Sequence, residues 1–117
     1  MQKYTNEVPL EYVTKDFSLI RELLNADVIP GLGLSLAEAV VEAGQSTVAH
    51  YHQGFDEIYY CLEGEGTLHI NKRSFACCPD RFYLLPKGSI HFLEAASRLR
   101  VLCICCPGYS HEHTVLV

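Results

Sequence analysis

Two histidines and a carboxylate lie close together in the stretch 44–64, which reads G-QSTVA-H-Y-H-QGFD-E-IYYCLE-G. His50 and His52 are two positions apart, and side chains alternate faces along a strand, so both imidazoles leave the same face. Residues 53–56 are typical of a turn, and Glu57 opens a β-branched and aromatic run that predicts a returning strand. Such a hairpin would place Glu57 opposite the imidazoles. This arrangement predicts a metal site that keeps open positions.

The same stretch resembles the first motif of the cupin superfamily, G-x5-H-x-H-x4-E-x6-G, with every fixed position present. The second cupin motif, G-x5-P-x-G-x2-H-x3-N, is similar to D-RFYLL-P-K-G-SI-H-FLE-A at 80–95. This stretch keeps the proline, the second glycine and the histidine of that motif (Pro86, Gly88 and His91). Asp80 replaces the usual first glycine, and Asp is able to enter the left-handed region that a tight turn needs. Ala95 replaces the usual asparagine.

The resemblance implies a metal centre with four protein ligands: His50, His52, Glu57 and His91. Three imidazoles and one carboxylate suit Fe, Mn, Zn or Ni, and also Cu. On a six-coordinate ion they would leave about two positions for water, oxygen or substrate. The resemblance therefore implies one divalent transition metal per chain and a small oxygenated molecule as substrate or ligand.

Two functions from different classes remain open. Cupins with this ligand set include dioxygenases, decarboxylases, isomerases and lyases, while others only bind or sense small molecules, so the fold does not choose the reaction. A metal-dependent enzyme is favoured over a non-catalytic binding or sensing domain, because a sensor normally needs an output module. The shortage of acid–base groups beyond the ligands weakens the enzyme interpretation. Tyr59 shares the strand face of Glu57 and is the candidate for acid–base assistance, although a core aromatic is an equal alternative.

The remaining pattern predicts an all-β protein. Short alternating runs recur roughly every 8–12 residues between Gly and Pro turns, as in sandwiches and barrels, and the cupin resemblance implies a double-stranded β-helix, or jelly roll. We predict a single cupin domain over 1–117, with an N-terminal strand and helix segment over 1–30, a barrel over 31–106 and a tail over 107–117. The second H-x-H, His111 and His113, falls in that tail with no carboxylate-bearing strand opposite it.

The N-terminal segment is expected to contain an edge strand and a short helix. Residues 8–10 (Val-Pro-Leu) predict the start of the edge strand. The helix is predicted over 17–24, with Asp16 or Ser18 as its cap. Four apolar side chains fall on one face of that helix (Leu19, Ile20, Leu23 and Leu24).

Composition limits the partners. The chain has 117 residues, 49% hydrophobic and 20% charged, with a net charge of −5, which is typical of a folded globular domain. The negative charge argues against nucleic acid or an anionic membrane as partner. The polar start MQKYTNE does not resemble a signal peptide, and no apolar run has membrane-spanning length, so we expect a cytoplasmic protein. Small cupins commonly pair through their outer sheets, so we expect a homodimer.

Six cysteines are present: Cys61, Cys77, Cys78, Cys103, Cys105 and Cys106. No C-x2-C spacing occurs, which disfavours a zinc knuckle, and a cytoplasmic chain disfavours disulfides. We expect buried thiols that act as small apolar residues. Cys61 shares the strand face of Glu57, so it is expected to face the barrel interior on the ligand side. Arg98 and Arg100 are candidates for binding an anionic substrate, although charged faces of edge strands are commoner.

Overall fold

The computed structural model describes residues 10–117. In that range the chain forms eleven β-strands and no helix, and therefore no helix long and apolar enough to cross a membrane. The strands are β1 (Tyr12–Val13), β2 (Leu19–Leu24), β3 (Ser35–Val41), β4 (His50–His52), β5 (Asp56–Glu63), β6 (Gly66–Ile70), β7 (Arg73–Cys77), β8 (Phe82–Leu85), β9 (His91–Ala95), β10 (Leu99–Cys106) and β11 (Thr114–Leu116).

The strands form two antiparallel sheets that face each other. One sheet has six strands in the order β1-β2-β3-β10-β5-β8, and the other has five in the order β11-β4-β9-β6-β7. Inward-facing side chains from both sheets fill the space between them, including Leu68 and Leu93 from one sheet and Leu99 and Val101 from the other. β10 shows the alternation behind this, because every second residue from Leu99 is buried. The predicted cupin jelly roll is confirmed.

β4 and β5 do not form the predicted hairpin. β4 pairs with β9 and β11, whereas β5 pairs with β10 and β8, so residues 53–55 carry the chain from one sheet to the other. Alternation only says that one face of each strand is buried, and it does not distinguish a hairpin within a sheet from a connection between facing sheets. Glu57 therefore approaches the histidines across the interior of the fold, from the opposite sheet.

The predicted helix over 17–24 is wrong, because this segment forms strand β2. It pairs with β3, with Ile20 opposite Ala39 and Glu22 opposite Ala37. A helix of this length is marginal on its own, so the ladder with β3 decides the conformation. Asp16 does not cap a helix. Its side-chain Oδ1 instead accepts a hydrogen bond from the Ser18 amide at 3.0 Å in a tight turn.

Both ends of the described chain add to the sheets. Residues 107–117, expected as a tail, include β11, which pairs with β4 and places Thr114 opposite His52. Val8 and Pro9 of the predicted edge segment lie outside the described residues, and Leu10 is exposed.

Candidate metal centre

The five-stranded sheet brings the three predicted histidines together. His50 and His52 lie on β4, and His91 lies on the neighbouring β9 directly opposite His50. The three side chains are buried, and each offers one ring nitrogen within 4.8 Å of those of the others. The alternation of β4 places His50 and His52 on one face, as the spacing predicted, and the antiparallel pairing adds His91 to that face.

Hydrogen bonds on the outer side of each ring fix its orientation. Nδ1 of His50 lies 2.7 Å from the carbonyl oxygen of Val48, and Nδ1 of His91 lies 3.0 Å from that of Ser89. A carbonyl oxygen only accepts, so each of these nitrogens carries the hydrogen. In the neutral rings, Nε2 is therefore the unprotonated nitrogen that faces inward.

The side chain of Thr114 fixes the same tautomer in His52. The hydroxyl of Thr114 donates its hydrogen to the carbonyl oxygen of Ser110 at 3.0 Å, and Nδ1 of His52 lies 2.9 Å from that hydroxyl. Because the hydroxyl hydrogen is already used, Nδ1 of His52 is the donor in the second bond. In their neutral form, all three imidazoles thus present unprotonated Nε2 atoms to one space.

Glu57 supplies the carboxylate from the other sheet. Its Oε1 lies 3.0 Å from Nε2 of His52 and 3.6 Å from Nε2 of His91, while Cys105 Sγ donates to Oε2 at 3.6 Å. Burial raises the pKa of this carboxyl, but its closeness to the imidazoles of His52 and His91 outweighs burial and lowers the pKa to about 2. Glu57 is therefore ionised at neutral pH.

This donor set fits a metal cation. A carboxylate oxygen faces the inward nitrogen of His52, and two acceptors at this distance repel unless a proton or a cation lies between them. Nε2 of His91, on a side chain that is 1% exposed, has no hydrogen-bond partner among residues 10–117. A divalent ion would satisfy the lone pairs of both rings and the carboxylate together.

The hydrogen bond from His52 to Thr114 gives a first prediction. Thr114→Val removes the acceptor of the His52 Nδ1 hydrogen while keeping the shape of the side chain. Loss of such a supporting partner typically lowers metal affinity by about 10–100-fold, and a competition assay with a metal-binding dye would measure this. Thr114→Ser, the matched control, keeps the hydroxyl and should retain most of the affinity. Equal affinities in the two variants would contradict the role of the hydroxyl.

A cavity of about 170 Å³ opens beside the metal-centre residues, and His50, His52 and Glu57 line it. Tyr59 lines it, with its ring centre 5.9 Å from that of His91. Burial, followed by the charge of Glu57, raises the pKa of Tyr59 well above its usual value. The phenol is therefore protonated at neutral pH and able to donate. Cys103 and Cys105 also line the cavity, and burial raises the pKa of both thiols, so they stay neutral.

Sequence reasoning missed several residues of this cavity. Asp16 was interpreted only as a helix cap, yet its Oδ2 lies 3.6 Å from Nε2 of His50. Glu22 and Tyr109 also line the cavity. Glu22 was missed because its segment was predicted as a helix. Ile20, Glu22 and Leu24 all line the cavity, and this period of two is the signal that predicts a strand.

Other candidate residues lie away from the cavity. Arg98 and Arg100 form ion pairs with glutamates on the outer face of the six-stranded sheet. Cys61 is fully buried in the core but does not line the cavity. His111 and His113 are exposed.

Comparison with known proteins extends over almost the whole chain. The family model for ectoine synthase matches residues 4–114. An uncharacterised protein of Methanocaldococcus jannaschii is 41% identical over 108 residues, which cover 91% of this chain and 86% of that protein. The L-ectoine synthase of Halalkalibacterium halodurans is 30% identical over 96 residues, which cover 80% of this chain and 71% of that enzyme.

A solved structure shows the same fold. The crystal structure of ectoine synthase from P. lautus has a TM-score of 0.76 and 26% sequence identity, and the match covers 92% of this chain and 80% of that one. Ectoine synthases share the cupin jelly roll, so sequence and structure agree. The chain belongs to the ectoine synthase family, within the cupin superfamily.

Proposed function

We propose that this protein is a metal-dependent cupin enzyme that acts on a small oxygenated molecule, with the ion held by His50, His52, Glu57 and His91. The observation that carries the proposal is the convergence of three inward-facing Nε2 atoms and an ionised carboxylate beside a cavity of about 170 Å³. Membership of a family that includes enzymes named L-ectoine synthase supports an enzyme over a binding domain.

The protein's own groups have separate roles in this proposal. The bound ion would polarise a substrate oxygen or acidify a bound water. Hydrogen bonds to Val48, Thr114 and Ser89 hold the imidazoles in place, so they need little reorganisation when a ligand binds. Tyr59 donates its phenolic proton or a hydrogen bond to a substrate oxygen, because its raised pKa keeps the hydroxyl protonated.

The substrate class can be tested with L-ectoine, the compound in the name of several relatives. The protein would be stripped of metal and reloaded with Fe, Mn, Zn or Ni, one at a time. Proton NMR would then follow L-ectoine during incubation, since a synthase also catalyses its reaction in reverse. Metal-dependent conversion would support an L-ectoine-related reaction. Binding without conversion under every metal would instead support the non-catalytic alternative.

Tyr59→Phe tests the proposed donor. The variant keeps the aromatic ring and removes only the hydroxyl, so metal content should be unchanged. Turnover of any converted substrate should fall by about 100-fold or more, the typical contribution of a positioned acid–base group. Tyr83→Phe is a suitable control, because Tyr83 donates its hydroxyl to the carbonyl of Ala76 and lies outside the cavity. Equal rates for wild type and Tyr59→Phe would exclude Tyr59 as the donor.

We also propose a homodimer of a single-domain chain. Three apolar side chains on β5 and β8 are exposed on the outer face of the six-stranded sheet (Ile58, Phe82 and Leu84), and apolar patches of this kind commonly mark interfaces. Light scattering should give twice the chain mass of 13.1 kDa for the wild type, and Phe82→Glu should shift the protein toward the monomer mass. Elution of the wild type as a monomer at micromolar concentration would contradict the dimer.

A further inference from the structure

Asp16 is held rigidly at the edge of the metal-centre cavity. Its backbone carbonyl accepts a hydrogen bond from the Val48 amide at 2.9 Å, which ties the turn to the segment before β4. Phe17 follows with φ of 72°, a left-handed conformation that reverses the chain into β2. A non-glycine residue held there is strained, and such strain is concentrated at functional positions.

The two carboxylate oxygens of Asp16 have different surroundings. Oδ1 accepts three hydrogen bonds, from the Ser18 amide at 3.0 Å, the Ser18 hydroxyl at 2.7 Å and the Thr14 hydroxyl. Oδ2 has no hydrogen-bond donor among residues 10–117, although the side chain is only 13% exposed and lines the cavity. One oxygen therefore anchors the turn, and the other is free to accept a hydrogen bond from a ligand.

Asp16 Oδ2 also lies next to one of the proposed metal ligands. Nε2 of His50 lies 3.6 Å from Asp16 Oδ2, on a side chain that is 3% exposed. Among residues 10–117 it makes no hydrogen bond, because the ring's only hydrogen bond uses Nδ1. Nε2 of His50 is therefore available to the proposed ion, and a molecule bound to that ion would lie close to Asp16 Oδ2, which has no donor of its own.

The charges around the cavity define the chemistry of that group. Four carboxylates line the cavity: Asp16, Glu22, Asp27 and Glu57. In the described part of the chain, Lys15 is the one lysine or arginine in this lining, and its Nζ donates to the carbonyl oxygens of His111 and Thr114. Even with a divalent ion bound, the lining stays negative overall. Such a surrounding favours a cationic ligand group over a carboxylate or phosphate.

We propose that Asp16 is a ligand-binding residue that accepts a hydrogen bond, through Oδ2, from a protonated amine of the molecule bound at the three-histidine centre. The position of that molecule beside the ion rests on the proposed function, whereas the preference for a cation rests on the lining itself. Charge-assisted hydrogen bonds of this kind are roughly twice as strong as neutral ones, so Asp16 would determine specificity.

Asp16→Asn tests the proposal with little change to the turn. The amide oxygen replaces Oδ1 and keeps the three anchoring bonds, whereas a donor NH2 replaces only the free Oδ2. Calorimetry would compare three unbranched four-carbon probes of different charge: 1,4-diaminobutane, 4-aminobutanoate and succinate. Wild type should bind the diamine most tightly and succinate least. The variant should bind the diamine at least about tenfold more weakly than wild type does, and the three probes should no longer differ in affinity in that order.

Controls separate this proposal from the metal site. Asp80→Asn, a substitution outside the cavity, should bind the diamine as wild type does. Metal content and melting temperature are measured for every variant, so an unstable Asp16→Asn would be recognised, and Glu22→Gln would then serve as the second lining variant.

Loss of metal in Asp16→Asn would show that Asp16 is instead a metal ligand. Tighter binding of succinate, no binding of the diamine at about 10 mM, or unchanged diamine affinity in the variants would overturn the proposal. If the wild type takes up no metal but still prefers the diamine, the metal-dependent function is contradicted and the role of Asp16 is not.

Discussion

His52→Ala is expected to lower metal affinity by more than about 100-fold while the metal-free protein stays folded. His52 contributes one of the inward-facing nitrogens and lies 3.0 Å from the Glu57 carboxylate. Loss of a supporting partner alone costs about 10–100-fold, so loss of a direct ligand costs more. Metal titration monitored by calorimetry gives the affinity, and circular dichroism reports the fold.

The control for His52→Ala is His69→Ala. His69 lies on β6 and bonds to Glu94 and Ser74, outside the cavity. Its replacement should leave metal affinity unchanged. If His52→Ala unfolds only in the absence of metal, the site is structural, and the proposed open catalytic centre is wrong.

Gly64→Ala is expected to destabilise the fold by about 4 kcal/mol or more. Gly64 closes the first cupin motif with φ of +90°, and an added Cβ would lie 2.0 Å from the carbonyl oxygen of Arg98. The glycine and the carbonyl it would meet both belong to the backbone, so neither can move without disturbing the ends of β5 and β10. The melting temperature should fall by more than about 10 °C, as measured by thermal unfolding of the metal-free protein.

Gly54→Ala is the matched control for Gly64→Ala. Gly54 has a similar φ of +86°, but no heavy atom lies within 4 Å of an added Cβ. Only the conformational cost remains, about 1 kcal/mol. The difference between the two variants isolates the steric contact with Arg98. Similar losses of stability in both would show that the positive φ alone, and not the contact with Arg98, requires glycine at position 64.

The histidine part of the site followed from the sequence because its geometry is local. Two residues of spacing place His50 and His52 on one strand face, the returning strand placed Glu57 opposite them, and the cupin resemblance added His91. The structure brings the three imidazoles together beside Glu57. Their role as metal ligands stays a prediction, as does the acid–base role of Tyr59.

The parts that sequence reasoning missed depend on contacts between distant segments. The helix over 17–24 failed because its apolar residues satisfy a helical period, while the pairing of β2 with β3 is invisible in an isolated segment. The same error removed Asp16 and Glu22 from the site. Thr114 was missed because β11 reaches His52 from 62 residues away. The Glu57 position was correct in outline, although the chain crosses between sheets instead of forming a hairpin.

Metal content of the purified protein tests the central claim most directly. Elemental analysis of tag-free protein, expressed without added metal, is compared with Glu57→Ala prepared in parallel. We predict close to one transition-metal ion per chain in the wild type and a large loss in the variant. Iron or manganese would direct the search toward oxygen-dependent or lyase chemistry, and zinc or nickel toward isomerase or hydrolytic chemistry. A wild type that contains no metal and takes up none on reconstitution would contradict the metal centre.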